Sequence, residues 1–100
     1  MNIYSQLDTD LIVRSFAHVA KQLSVAAQQD HIFSEAEKHR SALRMMQRDV
    51  FETAEQELRR KMLTKAEFQQ LRERAVQKAT QGQDAITRIA AQYAPHRLAA

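Results

Sequence analysis

Between Ser34 and Leu63, in a run without Gly or Pro, apolar residues recur at Ala36, Leu43, Met46, Val50, Ala54, Leu58 and Met62. The spacing settles into a steady four. On a helix of 3.6 residues per turn such a stripe drifts around the cylinder, so its two halves should face different neighbours. Ser34 followed by Glu37 has the form of a capping box, which would satisfy two amide donors at the start of this helix. The pattern predicts a central helix over 34–63, with Phe51 widening its buried face in the C-terminal half.

Two other helices are expected to pack against it. In the first, over about 9–30, Ile12, Phe16, Val19, Leu23 and Ala26 alternate by four and three, the pattern of a helix lying nearly parallel to its neighbour. Asp8 and Thr9 are both suitable N-caps, and Ile32 with Phe33 would form an apolar corner before Ser34. A second capping box, Thr64 with Glu67, opens a third helix over 65–94 that ends at Pro95. Its core positions are Phe68, Leu71, Ala75, Ala79, Gly82, Ile86, Ile89 and Tyr93. Residues 1–7 read as a lead-in and 95–100 as a loose tail.

Gly82 is unexpected inside this third pattern, because glycine costs a helix interior about 1 kcal/mol relative to alanine. A break there would give four helices. The apolar period continues across it, however, and no Ser or Thr cap follows, so one continuous helix is the better reading. With Ala75 and Ala79 it makes a small-residue strip against which Phe16 or Phe51 could press.

With one Gly, one Pro and no Trp, the composition offers almost no hairpin chemistry. The expected fold is all-α: one domain over 1–100, with three long helices in an antiparallel bundle or an extended helical hairpin plus a third helix. A chain of this length with a thin, Ala-rich core gains from a second copy. The strip of Ala75, Ala79, Gly82 and Ile86 is the expected homodimer seam.

A net charge of +3 permits an anionic partner, although twelve acids are interspersed among the fifteen bases. Without cysteine there is no disulfide framework. Met1 to Gln6 lack the basic start and apolar centre of a signal peptide, and no apolar run approaches the roughly 20 residues a membrane span needs. The expectation is a soluble, cytoplasmic protein without membrane contact.

Arg40, Arg44 and Arg48 form a row at spacing four, and like charges on neighbouring turns repel unless acids meet them. This row, with Met45 and Gln47 beside it and Arg59 further on, is the expected partner-binding surface. Planar guanidinium groups suit an acidic protein surface or phosphates. Asp8 or Asp10 from the first helix could instead neutralise the row within the fold. Arg59, Arg60, Lys61, Lys65, Arg72 and Arg74 gather more bases near the second turn, although the pairs Glu55–Arg59, Glu57–Lys61 and Asp84–Arg88 are favourably ordered.

His31, Glu35 and His39 are four apart, but a break at Ser34 would interrupt their common face, and no fourth ligand is recognisable. No metal or cofactor is expected. A catalytic constellation is missing too, with no glycine-rich phosphate loop and no nucleophile beside a base, so an enzyme is not expected. The function expected is a non-catalytic protein-interaction module, an adaptor, chaperone-like partner or inhibitor that shows a rigid basic helical face to an acidic protein. The alternative is a small basic nucleic-acid-binding or regulatory protein.

Overall fold

Asp8 starts the first helix: its carboxylate accepts from the Leu11 amide at 3.2 Å, and α1 runs Thr9–Val25. The computed structural model describes residues 8–94, so the lead-in at 1–7 and the tail at 95–100 lie outside the described residues. A 3-10 turn at Gln29–His31 joins α1 to α2, Ile32–Arg59, and a short turn leads to α3, Lys65–Tyr93. The fold is an all-α antiparallel bundle of three helices.

Two helix ends differ from their sequence patterns for one reason. After α1, the Ala27 amide bonds the Ser24 carbonyl at 3.1 Å and the Gln28 amide bonds the Leu23 carbonyl at 2.8 Å. After α2, the Lys61 and Met62 amides do the same to Leu58 and Glu57, at 3.0 and 2.8 Å. Both are Schellman closures, whose turning residue must be left-handed, and here it is Ala27 (φ 57) and Lys61 (φ 61). Glycine would normally mark such stops. Its absence hides them, so α1 ends before 30 and α2 before 63, and Met62 lies exposed in the turn rather than in the core.

A side chain with Cβ costs about 1–2 kcal/mol in this conformation, partly offset by the extra freedom glycine brings to the unfolded chain. Ala27→Gly and Lys61→Gly are therefore each expected to stabilise the fold by about 0.5–1 kcal/mol. Urea unfolding reads this as a raised midpoint at unchanged slope.

The start of α2 is also corrected. The helix begins at Ile32, and the Ser34 hydroxyl donates back to the His31 carbonyl at 3.0 Å instead of capping. Glu37, its expected partner, turns to arginines. The second capping box does form: the Thr64 hydroxyl accepts from the Glu67 amide at 3.1 Å, and the Glu67 carboxylate accepts from the Thr64 amide at 3.0 Å. The Thr64 amide first, and the Thr64 hydroxyl after it, hold the Glu67 carboxyl below the ordinary glutamate range. A pKa lowered on folding contributes stability that is present above the unfolded value and is lost as pH falls through the folded one. Thr64→Ala should cost about 1 kcal/mol at neutral pH. As pH falls through the ordinary glutamate range and below, the part of that gap owed to the Thr64 hydroxyl's hold on the Glu67 carboxyl should be lost, which acid titration of thermal unfolding would record.

Two buried clusters hold the helices. The proximal one joins Phe16 and Ala20 of α1, Ile32, Ala36 and Leu43 of α2, and Ile86, Ala90 and Ala94 at the α3 end. The distal one, Val50 and Ala54 with Phe68, Leu71 and Ala75, contains no residue of α1. The drifting stripe of α2 does serve two neighbours, but only in its first half. Beyond that, α2 and α3 form a bare two-helix hairpin, and the molecule is long, 53 × 23 × 15 Å. Its radius of gyration, 16.3 Å, exceeds the roughly 13 Å of a compact domain this size.

Helix α3 is unbroken at Gly82. A Cβ built there would stand 2.9 Å from Leu43 Cδ1, so the large side chain pressing on the glycine is Leu43 rather than Phe16 or Phe51. Ala75, Ala79, Gly82 and Ile86 are all buried within the chain's own bundle. A homodimer through that strip would require the bundle to open.

Candidate functional site

The seam between α2 and α3 has two flanks, and α1 covers one of them. His39 packs on Phe16 of α1 with ring centroids 5.4 Å apart, whereas Arg40, about 100° further round α2, reaches across the other flank to α3. Its guanidinium donates to the Thr87 hydroxyl at 3.0 Å, and Gln83 of α3 donates to the Arg40 carbonyl at 3.4 Å. Arg40 is thereby part of the fold, with 22% of its side chain exposed. Arg44 and Arg48 are not so held. Both are largely exposed on the same flank, and Gln47 is half-buried between them.

The row's mutual repulsion is relieved from its own helix and not from α1. Glu37 stands 3.4 Å from Arg40 and 3.6 Å from Arg44, and Glu52 stands 3.9 Å from Arg48. Asp8 caps α1 instead, and Arg14 donates to the Asp10 carbonyl. Arg44 also donates to the Ser41 hydroxyl at 2.8 Å, but its contacts, like that of Arg48, lie within α2, and exposed pairs of this kind contribute about 0–1 kcal/mol, so neither Arg44 nor Arg48 is tied to another helix.

Further along the open flank, the Arg72 guanidinium lies 5.0 Å from the centre of the Phe51 ring and 5.8 Å from that of Phe68. Stacking on two rings fixes the cation and covers apolar area. Next to it, Gln69, Arg72, Glu73, Val76 and Gln77 line an open hollow of about 530 Å³, in which Val76 is 45% exposed. The flank thus carries an open hollow with the exposed Val76 in its lining, beside Phe51, whose ring Arg72 covers, and with Arg44 and Arg48 exposed along α2. Sequence reasoning missed the Phe51–Arg72 contact, which depends on the level at which α3 meets α2. The Phe68–Arg72 spacing of four was its one visible trace.

The structure does not gather every predicted contact residue here. Met45 opens on the other side of α2, where it lines a hollow of about 500 Å³ with Ala42, Met46, Asp49 and Thr53. Arg59 sits at the hairpin tip, roughly 16 Å along the axis from Arg48. There Arg59, Arg60, Lys61 and Lys65 are exposed, and none closes an ion pair among the described residues. The expected pairs Glu55–Arg59, Glu57–Lys61 and Asp84–Arg88 do not form among them either.

Both ring nitrogens of His39 are engaged. Nδ1 is 2.7 Å from the Glu35 carbonyl, which can only accept, so Nδ1 carries a proton, and in the neutral ring Nε2 accepts from the Ser15 hydroxyl at 3.3 Å. The Glu35 carboxylate pairs with Lys38 at 3.1 Å. Among the described residues no group of three or more His, Cys, Asp or Glu is placed to hold a metal ion, and no helix is long and apolar enough to cross a membrane. Compared with protein-family models, curated proteins and solved structures, the chain matches none.

Proposed function

We propose that this chain is a cytoplasmic, non-catalytic protein-interaction module, an adaptor, chaperone-like partner or inhibitor, whose working face is the open flank of the α2–α3 seam. The observation that carries this reading is the open flank itself: α1 leaves it bare, with the exposed Val76 in its hollow, the Arg72-covered Phe51 beside it, and the exposed cations Arg44 and Arg48 along α2. A helical surface bearing carboxylates fits it in shape and charge.

The test is capture of proteins from the native host on the immobilised chain and on its Arg44→Glu/Arg48→Glu variant. Specifically retained proteins should fall at least about tenfold on the variant. Thermal unfolding should change by no more than about 0.5 kcal/mol, as is usual for surface substitutions. Equal retention, or a parallel loss of folding, would make the row structural. The cluster of bases at the hairpin tip supports a second reading, binding to a nucleic-acid backbone. That reading requires binding to weaken log-linearly with salt and to fail when Arg59, Arg60 and Lys61 are reversed. Absence of any shift with DNA or RNA at low salt removes it.

A further inference from the structure

Along the exposed edge of α2 the charge changes sign at mid-helix. Arg44 and Arg48 precede Val50, and Glu52 and Glu55 follow it. Arg48 and Glu52 lie about 3 Å either side of position 50 along the axis, and Arg44 and Glu55 lie about 9 and 7.5 Å either side. Turned end for end, the helix places each arginine against a glutamate. Such a surface is complementary to itself under a two-fold axis perpendicular to the helix.

The hollow on α3 obeys the same symmetry. Gly82 meets Leu43, and seven residues along each antiparallel helix brings Ala75 opposite Val50, within the distal cluster. An axis at that level passes beside Val76, the exposed valine of the hollow. Positions equidistant from Val76 on this flank are Arg72 with Thr80 and Gln69 with Gln83, so no like charges are brought together on α3.

Building on the interaction-module reading, we infer that the acidic helical surface fitting this flank belongs to a second copy of the chain. The open flank is then the interface of an antiparallel homodimer. Arg44 and Arg48 meet Glu55 and Glu52 of the partner subunit, and Val76 packs at the two-fold. Glu55 forms no pair among the described residues and is available for this contact. A molecule 53 Å long with a flank free of α1 has room for the roughly 800 Å² per partner that stable interfaces bury.

The experiment uses two charge variants, Arg44→Glu/Arg48→Glu and Glu52→Arg/Glu55→Arg, with light scattering on the purified chains. The parent should show twice the 11.5 kDa of one chain. Each variant alone should show the single-chain mass, because like charges then face each other across the axis. Mixed in equal amounts, they should recover the double mass, because positions 44, 48, 52 and 55 are then all basic in one copy and all acidic in the other. A single-chain mass for the parent up to millimolar concentration overturns the inference, as does a double mass in either variant alone or a mixture that stays monomeric.

Where a charge variant fails to fold, a cysteine at the axis tests the same geometry in a chain that has none of its own. Oxidised Val76→Cys should cross-link into a dimer while Val25→Cys, exposed at the far end of α1, should not. Equal or absent cross-linking overturns the inference. Because only purified chain is used, these outcomes are independent of capture from the host, which decides the interaction-module reading.

Discussion

Leu43→Ala is expected to cost about 2–5 kcal/mol, and Gly82→Ala is expected to change sign when made in that background. Leu43 is wholly buried where α2 crosses α3, so truncating it loses transfer free energy and leaves a cavity lined by the proximal cluster. In the parent, a methyl at position 82 would lie 2.9 and 3.1 Å from the two Leu43 methyl carbons. Packed on every side, the leucine can yield only by leaving its rotamer, at about 1–3 kcal/mol. Alanine returns about 1 kcal/mol of helix propensity. Gly82→Ala should therefore be neutral to destabilising by about 2 kcal/mol. With Leu43→Ala already in place the new methyl enters the vacated space and the propensity gain is left uncancelled, giving about 1 kcal/mol of stabilisation. Urea unfolding of the four proteins closes the cycle, with an expected coupling of about 1–3 kcal/mol. Strictly additive free energies would show that the close approach does not constrain position 82.

That glycine also illustrates which parts of the architecture were legible in the residues. The apolar period runs through it unbroken and no cap follows it, which is why the continuity of α3 was legible, while the helix count followed from that period together with the capping signals. The helix ends were harder. Ser34-x-x-Glu37 and Thr64-x-x-Glu67 are equally good capping boxes on paper, yet only the second acts as one. Ile32, two residues before Ser34, extends the row of Ala36 and Leu43, and burying it contributes about 1.5–3 kcal/mol against about 1 kcal/mol for a cap. Upstream of Thr64 the Schellman turn at Lys61 has already ended α2, so nothing competes with the cap. The C-terminal ends of α1 and α2 were illegible because Ala27 and Lys61 stand where glycine would have signalled a stop.

The candidate surface divides similarly. Spacing marked Arg40, Arg44 and Arg48 as one row, but it could not separate Arg40, which binds across to Thr87, from the two that remain available. It looked for neutralising acids on the first helix when Glu37, three and seven residues away on the same helix, was nearer. Met45 follows Arg44 in the chain yet opens on the opposite flank, since consecutive helical residues point about 100° apart.

Phe16→Ala should be the costliest change in α1, at about 3–5 kcal/mol. Phe16 is the largest wholly buried side chain that α1 contributes, and its ring packs on His39, whose own bond to Ser15 ties the two helices at the same level. A 17-residue helix is marginal on its own, so α1 remains helical largely because this face is docked. The loss approaches the lower end of the 5–15 kcal/mol that separates a small domain from its unfolded state. Its effect should nevertheless be uneven along the molecule, because the distal cluster includes no residue of α1. Amide hydrogen exchange in Phe16→Ala should lose protection across α1 and the facing first half of α2, while amides around Val50, Ala54 and Leu71 keep more of theirs. Phe68→Ala should give the converse, opening the hairpin tip and sparing α1. Identical, uniform loss in both variants would mean that the two clusters fold as one cooperative unit. The proximal helix would then be needed to keep the open flank in shape as well as to cover its own side of the seam.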